Sequence, residues 1–471
     1  MVFSSSTFIF VFLPVAILGY YLLHLRYRNT FLLFISLVFY AWGEPKFVLI
    51  MMLSILMNWG AAYLIEIFKT KKTLRKSVFI CAISMNLAIL FVFKYLNFVL
   101  SNLNRITDIF PQTNITLPIG ISFFTFQAVS YVVDVYRGKV SVQKNPLNIG
   151  LYISFFPQLI AGPIVRYETI AAEIASRETT WSDFCAGVER FLRGVFKKIL
   201  LANNLALVAD KAFGTEYGEL SMVMAWFGAI TYTLQLYFDF CGYSDMAIGL
   251  GRMFGFHFSE NFNYPYVSKS VSEFWQRWHI SLGLWFKDYV YFPLGGSRVK
   301  TKGRHIFNLF IVWLLTGVWH GASWNFIFWG MLYFFIILIE KYVVHPDKFN
   351  EKSAKRIVWQ VVAMLYIVLS RVLFRAEGLR DSMGYYLSLI GIGAPLVSND
   401  AIFYIKEYAV VFIVAMFCCT PVLKWLKKKA DNSSLFWLFD TLKVCVYCIL
   451  LVFSVSYLVM GAHNPFIYFN F

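Results

Sequence analysis

Residues 306–339 read IFNLFIVWLLTGVWHGASWNFIFWGMLYFFIILI, a run without a single Asp, Glu, Lys or Arg. A helix crosses the hydrocarbon core of a bilayer with about 20 apolar residues, and in lipid a helix satisfies its own backbone hydrogen bonds. The run is long enough for two short spans, and His320 stands between them with a glycine close by on either side. We predict membrane helices over 305–320 and 323–341, with an ionisable residue at their junction.

The same apolar character extends over the whole chain of 471 residues. Hydrophobic residues make up 59% and charged residues 14%, against roughly 45–50% and about 25% in soluble domains. Composition therefore excludes a soluble enzyme, a disordered chain and a disulfide scaffold. We predict an all-α polytopic membrane protein of about 11–13 helices, forming a single membrane domain over 1–471. The candidate spans are 7–23, 30–42, 46–67, 77–100, 118–136, 146–163, 189–210, 222–250, 305–320, 323–341, 357–375, 402–421 and 436–460.

The net charge of +16 comes from short basic clusters between these spans. This distribution is typical of cytoplasmic loops, whose cations also meet anionic lipid head groups. It therefore predicts contact with membrane lipids and no nucleic-acid partner. The expected cytoplasmic clusters lie at 26–28, 69–76, 137–144, 298–304, 341–356 and 424–429. Residues 101–117 and 376–401 then become outward-facing loops, and both chain ends lie outside.

The segment 261–303 is too polar to span a membrane and too aromatic for a solvated loop. Such a segment lies at the interface or lines a cavity enclosed by protein. A helix over 271–286 would place Ser272, Gln276, His279 and Gly283 on one face, because residues three and four apart are neighbours on a helix. Glu273 and Arg277, four apart, are expected to form an ion pair. A membrane-surface helix with a structural ion pair is the alternative interpretation.

His320 is the second candidate for chemistry. An ionisable group at membrane depth is costly, so it points by default to function. Imidazole also has the right unperturbed pKa for a general base near neutral pH. The alternative interpretation is a histidine that caps a helix or forms an interhelical hydrogen bond.

Several stretches resemble the membrane-bound O-acyltransferase family, in particular its bacterial branch of alginate O-acetyltransferases. They are FWQRWHISL at 274–282, GVWHG at 317–321, FYAWG at 39–43, LPIGISFFTFQ at 117–127, FFPQLIAGPI at 155–164 and DFCGYSD at 239–245. The likeness covers about 1–375, and the C-terminal helices of 376–471 carry no such motif. It implies a ring of helices around a central tunnel, a catalytic histidine at His320 and a second family hallmark at His279. It also implies acetyl-CoA as the acyl donor, entering from the cytoplasm.

Acyl transfer needs a base for the incoming hydroxyl and a donor to the developing oxyanion. We expect His320 to be the base, and His279, Asn325 or Gln276, in that order, to orient it or polarise the carbonyl. No Gly-x-Ser-x-Gly motif is present, which favours direct transfer over a serine acyl-enzyme. We expect no metal site and no bound cofactor, with acetyl-CoA acting as a substrate.

Two further groups of residues leave alternatives open. Asp239 and Asp245 are carboxylates in an apolar run, suited either to interhelical bonding or to a role in the tunnel. A basic cluster could hold the phosphates of CoA, although the general preference for cytoplasmic cations also explains it. This cluster consists of Arg298, Lys300, Lys302 and Arg304.

The resemblance predicts a multi-pass enzyme of the bacterial plasma (inner) membrane that O-acetylates an exported or cell-wall polysaccharide. Members of this branch work with an extracytoplasmic acetyltransferase partner of the serine-hydrolase type. Transfer of D-alanine from a carrier protein to teichoic acid is the alternative within the family. A transporter is the alternative outside it, and the absence of repeated halves with matching broken helices disfavours it.

Overall fold

The computed structural model describes residues 1–160, 162–431, 436–461 and 463–465. Within these ranges the chain is helical and contains no β-strand. The α-helices are α1 Leu13–Leu22, α2 Arg28–Gly43, α3 Val48–Ile67, α4 Lys72–Leu90, α5 Leu96–Thr107, α6 Ile121–Arg137, α7 Pro146–Ser154, α8 Phe156–Leu159, α9 Tyr167–Ala175, α10 Trp181–Phe196, α11 Asn203–Gly214, α12 Met222–Met253, α13 Val271–Arg277, α14 Ile280–Phe286, α15 Lys302–His320, α16 Trp324–Ile339, α17 Ala354–Arg375, α18 Leu379–Leu389, α19 Asn399–Cys418, α20 Val422–Asp431 and α21 Phe436–Val459.

Six helical segments of the described chain are long and apolar enough to cross a membrane. They are Val48–Ile67, Lys72–Thr107, Trp324–Val344, Ala354–Arg375, Asn399–Cys418 and Phe436–Val459. Two of them continue past the end of an α-helix through π-helical turns, Phe91–Tyr95 and Glu340–Val344. The prediction of an all-α, multi-span membrane protein is confirmed. The other predicted spans correspond to helices that are shorter or less apolar than these six.

The chain divides into two compact units, and the prediction of one membrane domain over 1–471 stays a prediction. The first unit comprises Met1–Phe191 and Ser244–Ser259. Its interior contains a cluster of buried rings in which Phe12 packs edge-on against Phe156, with 5.3 Å between ring centroids. The phenol of Tyr20 donates a 2.9 Å hydrogen bond to the carbonyl of Phe254.

The second unit comprises Leu192–Tyr243 and the described residues from Glu260 onward, and it contains α13 to α17. Helices α15 and α16 approach closely where two glycines face each other. A Cβ atom at Gly317 would lie 2.5 Å from the carbonyl oxygen of Phe326, and one at Gly330 would lie 2.5 Å from that of Trp313. Because these positions lack side chains, the two helices pack backbone to backbone next to His320.

One local prediction is wrong. The helix expected over 271–286 is broken into α13 and α14, with Trp278 and His279 between them. The segments 101–117 and 376–401 contain helix, since α5 continues to Thr107 and α18 covers Leu379–Leu389, and their outward orientation stays a prediction. Helix α5 is amphipathic, so polar residues interrupt its apolar ones and a uniformly apolar pattern does not identify it as a helix.

Candidate active site

The start of α13 is held by carboxylate and hydroxyl caps. Ser270 accepts a hydrogen bond from the N–H of Glu273 at 3.0 Å, while the Glu273 carboxylate accepts one from the N–H of Lys269 at 2.8 Å. Glu273 also forms the predicted ion pair with Arg277, at 2.8 Å between Oε1 and Nη2. These contacts satisfy N–H groups that a helix start leaves unbonded.

A third cap comes from the end of α16. The buried carboxylate of Glu340 accepts hydrogen bonds from the backbone N–H groups of Val271 and Ser272, both at 2.7 Å. It also accepts from the Ser272 hydroxyl at 2.6 Å and from the indole of Trp359 on α17 at 3.0 Å. Glu340 therefore ties α13 to the hairpin that carries His320.

His279 lies at the break between α13 and α14 in a left-handed backbone conformation, with φ of 47°. A side chain in this region costs about 1–2 kcal/mol, so neighbouring contacts must hold it there. The carbonyl of Asn261 accepts from the N–H of Ile280 at 3.0 Å, and the N–H of Asn263 donates to the carbonyl of Arg277 at 2.9 Å. Pairing with 261–263, distant in sequence, thus breaks the predicted helix at His279.

The hydrogen bonds of Asn261 fix which nitrogen of His279 carries the proton. Asn261 Oδ1 accepts from the backbone N–H of Ser281 at 3.1 Å, which identifies that atom as the amide oxygen. His279 Nδ1 lies 3.3 Å from the same oxygen and must therefore be the donor. Its Nε2 then carries a lone pair, and this buried atom has no hydrogen-bond partner among the described residues. Burial lowers the pKa of His279 to about 3, so the ring is neutral at physiological pH.

His320 ends α15 and is buried among aromatic rings. Its ring centroid lies 5.0 Å from Trp319, 4.9 Å from Trp329 and 5.2 Å from Phe374, each packed edge to face. Trp329 comes from α16 and Phe374 from α17. Three helices therefore fix the imidazole in place.

Trp319 connects the two histidines. Its ring centroid is 5.9 Å from that of His279 and 5.0 Å from that of His320. All three residues are buried. The structure thus brings together two ionisable residues that lie about forty positions apart in the sequence.

An apolar cavity of about 300 Å³ opens beside His279. Its walls are Trp275, His279, Leu282, Gly283, Phe286, Lys287, Tyr291, Leu309, Val312, Trp313 and Thr316. His320 does not line it but follows Thr316 by one helical turn, about 6 Å along the axis of α15. Its size lies at the lower end of the usual range for ligand pockets.

Gln276 does not line this apolar cavity. It is exposed and lines a separate polar cavity of about 720 Å³ together with Ser272, Glu273 and Glu340. The face expected to unite Ser272, Gln276, His279 and Gly283 is therefore split, because the left-handed turn at His279 redirects the chain. Ser272 and Gln276 line the polar cavity, while His279 and Gly283 line the apolar one.

Asn325 is buried near the start of α16, and its amide is engaged. Nδ2 donates a 2.8 Å hydrogen bond to the carbonyl of Ala376, just beyond the end of α17. That contact fastens α16 to α17 around His320. In this arrangement the Asn325 side chain uses one of its N–H groups to join α16 to the residue that follows α17.

Both carboxylates of the 239–245 stretch are buried and form ion pairs. Asp239 Oδ1 lies 2.6 Å from Lys198 Nζ, and Asp245 Oδ1 lies 2.6 Å from Arg190 Nη2. Each pair joins α12 to a segment earlier in the chain. Removal of one partner from such a pair leaves an uncompensated buried charge, so this geometry favours the structural interpretation.

The basic cluster after α14 is exposed at all four predicted positions, Arg298, Lys300, Lys302 and Arg304. Arg304 donates to the carbonyl of Leu294 at 3.2 Å. Asn308 on α15 donates to the carbonyl of Gly296 at 3.0 Å, which fixes the loop against the helix. The remaining cations project into solvent.

Arg371 on α17 is a residue that the sequence analysis overlooked. It is only 1% exposed, and its guanidinium lies over the ring of Trp278 at 4.6 Å. An arginine well inside the predicted span 357–375 was a detectable signal, because charged residues within membrane helices are rare and tend to be functional. Glu340, at the polar end of its span, offered no comparable signal.

Comparisons with known proteins identify the family of the chain. The model of the membrane-bound O-acyltransferase family matches residues 141–376. A protein of Pseudomonas putida named probable alginate O-acetylase AlgI is 37% identical over the full length of both chains. The peptidoglycan O-acetyltransferase of Helicobacter pylori is 32% identical over 100% of this chain and 98% of its own. A more distant relative, the teichoic acid D-alanyltransferase of Bacillus subtilis, is 29% identical over 53% of this chain and 63% of its own.

The fold is that of a polytopic membrane protein, and two of its histidines, His279 and His320, are buried against one tryptophan. The chain belongs to the membrane-bound O-acyltransferase family. Acyl transfer is therefore the activity of this protein.

Proposed function

We propose that this protein takes acetyl groups from cytoplasmic acetyl-CoA and passes them across the membrane for O-acetylation of an exported or cell-wall polysaccharide. The observation that carries the proposal is the contact of His279 and His320 with one buried tryptophan, Trp319. The full-length similarity to an alginate O-acetylase and a peptidoglycan O-acetyltransferase supports the choice of acetyl group and polymer.

The two histidines take different roles in this proposal. His320 acts as general base and accepts the proton of the incoming hydroxyl, a contribution of about 10² to 10⁴ in rate. His279 presents a lone pair on Nε2, so it accepts a hydrogen bond from a donor group of the acceptor other than the reacting hydroxyl and orients the acceptor through it. It cannot donate to a carbonyl oxygen from that atom while it stays neutral.

The apolar cavity supports a thioester donor. Its volume of about 300 Å³ suits the acetyl group and the adjoining thiol arm of acetyl-CoA, and is too small for the whole molecule. The nucleotide end then lies outside the cavity, where exposed cations can meet its phosphates. Arg298, Lys300, Lys302 and Arg304 are the cations that we assign to this task.

The proposed function also requires a cellular location and a partner. The protein lies in the bacterial inner membrane and delivers the acetyl group to an extracytoplasmic acetyltransferase of the serine-hydrolase type. Its basic loops face the cytoplasm and anionic lipids. The alternative is D-alanyl transfer from an acyl carrier protein to teichoic acid. It is supported by the similarity of about half of the chain to a D-alanyltransferase.

The test measures ester-linked acetyl groups on the surface polysaccharide of cells that produce the protein or its His320→Ala variant. We expect acetylation with the unaltered chain and its loss in the variant, at equal amounts of protein in the membrane. His24→Ala, at an exposed histidine, serves as the matched control. Near-normal acetylation by His320→Ala would refute the assignment. Ester-linked D-alanine in place of acetate would favour the alternative.

A further inference from the structure

Arg371 is a buried cation for which the described residues supply no counter-ion. It lies in α17, one of the six apolar spans, and is 1% exposed. Within the described part of the chain, no carboxylate lies at ion-pair distance from its guanidinium. Charges at such depth are costly, and nearly all of them pair with another group or serve a function.

Aromatic rings surround the guanidinium. Its Cζ lies 4.6 Å from the ring centroid of Trp278, 5.6 Å from Phe374, 5.9 Å from Phe274 and 6.0 Å from Trp329. Each cation–π contact of this kind is worth about 0.5–2 kcal/mol. Ring faces stabilise the positive charge, but they offer no oxygen or nitrogen acceptor to the N–H groups of the guanidinium.

Two of those N–H groups are open. Arg371 Nε and Nη2 are buried and have no hydrogen-bond acceptor among the described residues. The neighbouring hydroxyls of Tyr266 and Tyr333 are bonded to Thr233 and Ser370. An unsatisfied buried donor costs about 1–3 kcal/mol, and more when it is charged. A hydrogen-bond acceptor on a bound ligand would satisfy these two nitrogens and remove this cost.

The cation lies beside the base of the proposed reaction. The rings of Trp329 and Phe374 contact both Arg371 and His320. Trp278, which lies closest to the guanidinium, directly precedes His279. The other candidates for a donor to the substrate carbonyl are unsuitable, since Asn325 is bonded to Ala376 and Gln276 lines the polar cavity.

We propose that Arg371 donates its open N–H groups to the carbonyl oxygen of the acyl group, where negative charge develops during transfer. This inference rests on the proposed acyltransferase function. It makes Arg371 a catalytic residue of the oxyanion-stabilising type, alongside His320 as base and His279 as the group that orients the acceptor.

The transfer step then balances. The acceptor hydroxyl oxygen forms a bond to the thioester carbonyl carbon, and its proton moves to the imidazole of His320. The carbonyl π electrons shift to the oxygen held by Arg371, which gives a tetrahedral oxyanion. When this intermediate collapses, the carbon–sulfur bond breaks and the thiolate takes the proton back from His320. The products are an O-acyl ester and a free thiol.

The test uses inverted membrane vesicles from producing cells, supplied with radiolabelled acetyl-CoA, and measures kcat and KM for ester formation. Arg371→Met keeps the apolar volume and removes the charge. Loss of one oxyanion donor lowers kcat by about 10² to 10³, with KM for acetyl-CoA nearly unchanged. Arg375→Met is the matched control on the same helix, since Arg375 already pairs with Asp210 at 2.9 Å and should retain kcat within about threefold of the unaltered chain.

Arg371→Lys provides an independent readout. An ammonium group, unlike guanidinium, can lose its proton in apolar surroundings. We therefore expect the ratio of this variant's kcat to that of the unaltered chain to be highest at mildly acidic pH and to fall as the pH rises, with KM unaffected. A purely structural cation that holds the rings would affect protein yield and KM together, without this pH dependence of kcat.

These results distinguish a failure of the proposed function from a failure of the proposed role of Arg371. If the unaltered chain transfers acetyl groups, His320→Ala does not, and Arg371→Met turns over normally, the function stands and the role of Arg371 is refuted. If Arg371→Met does not accumulate in the membrane, the pH dependence of Arg371→Lys decides, and a flat profile refutes the proposal. No ester formation by the unaltered chain refutes both.

Discussion

His320 and Arg371 lie against the same two aromatic rings, those of Trp329 and Phe374. The imidazole centroid is 4.9 Å from Trp329 and 5.2 Å from Phe374, while the guanidinium carbon is 6.0 and 5.6 Å from them. Substitution of either polar residue therefore alters the packing of the other. Effects of such neighbours on kcat are not additive, so single variants must be accompanied by measurements of protein stability.

The neutral state of His279 makes the protein sensitive to acid. Its folded pKa of about 3 lies below the value of about 6.5 for an unfolded histidine. As the pH falls below about 6.5, the unfolded chain binds the proton first, so the free energy of unfolding decreases toward pH 3 and is constant above about 6.5. At about pH 5 the loss amounts to about 2 kcal/mol.

We expect His279→Gln to remove that part of the acid sensitivity, because glutamine does not titrate. The apparent unfolding temperature in detergent, compared at about pH 7.5 and about pH 5, checks this. His24→Gln, at an exposed position, should keep the full pH dependence. Equal acid sensitivity of His279→Gln and the unaltered chain would contradict the prediction.

Glu340 should position α13 through its caps. Glu340→Gln replaces one carboxylate oxygen with an NH2 group that faces the N–H donor of either Val271 or Ser272, because each donates to a different oxygen. Leaving one buried donor unsatisfied costs about 1–3 kcal/mol, so the unfolding temperature should fall by several degrees. The matched control is Glu351→Gln, which lines the same polar cavity with its carboxylate 85% exposed. A control as destabilised as Glu340→Gln would show that charge in the cavity, and not the caps, matters.

The exposed cations after α14 should act on donor affinity. Arg298→Gln combined with Lys300→Gln should raise KM for acetyl-CoA several-fold and change kcat little, because contacts with the phosphates are equal in the ground and transition states. Added salt should raise KM of the unaltered chain, since exposed charges are screened over about 10 Å at 0.1 M.

Lys71→Gln with Lys72→Gln removes the same charge from another expected cytoplasmic cluster and serves as control. If the two double variants have the same KM, Arg298 and Lys300 serve membrane orientation and do not bind the donor.

The positions of the basic clusters predict membrane orientation. In a variant that lacks the native cysteines, a single Cys placed within 69–76 or 424–429 should resist a membrane-impermeant thiol reagent added to intact cells. A Cys at position 108, exposed and expected outside, should react. Reaction of either basic cluster at the rate of position 108 would reverse the predicted topology.

The sequence by itself determined the class of protein and pointed to both histidines of the candidate site, His279 and His320. The absence of charges over 306–339 requires membrane helices, because a lipid environment leaves the backbone no other partner. His320 is conspicuous for the same reason. The Glu273–Arg277 pair also follows from sequence, since its four-residue spacing lies within one helix.

Only the tertiary structure decided how the site is composed. Pairing of 278–280 with 261–263 interrupts a helix whose spacing looked continuous, and it sends Gln276 and His279 into different cavities. Arg371 gains its ring contacts from α13 and α16, and Glu340 reaches α13 from a distant helix. Hydropathy and periodicity are properties of neighbouring residues along the chain, whereas the partners of a buried charge come from segments that meet only in the folded protein.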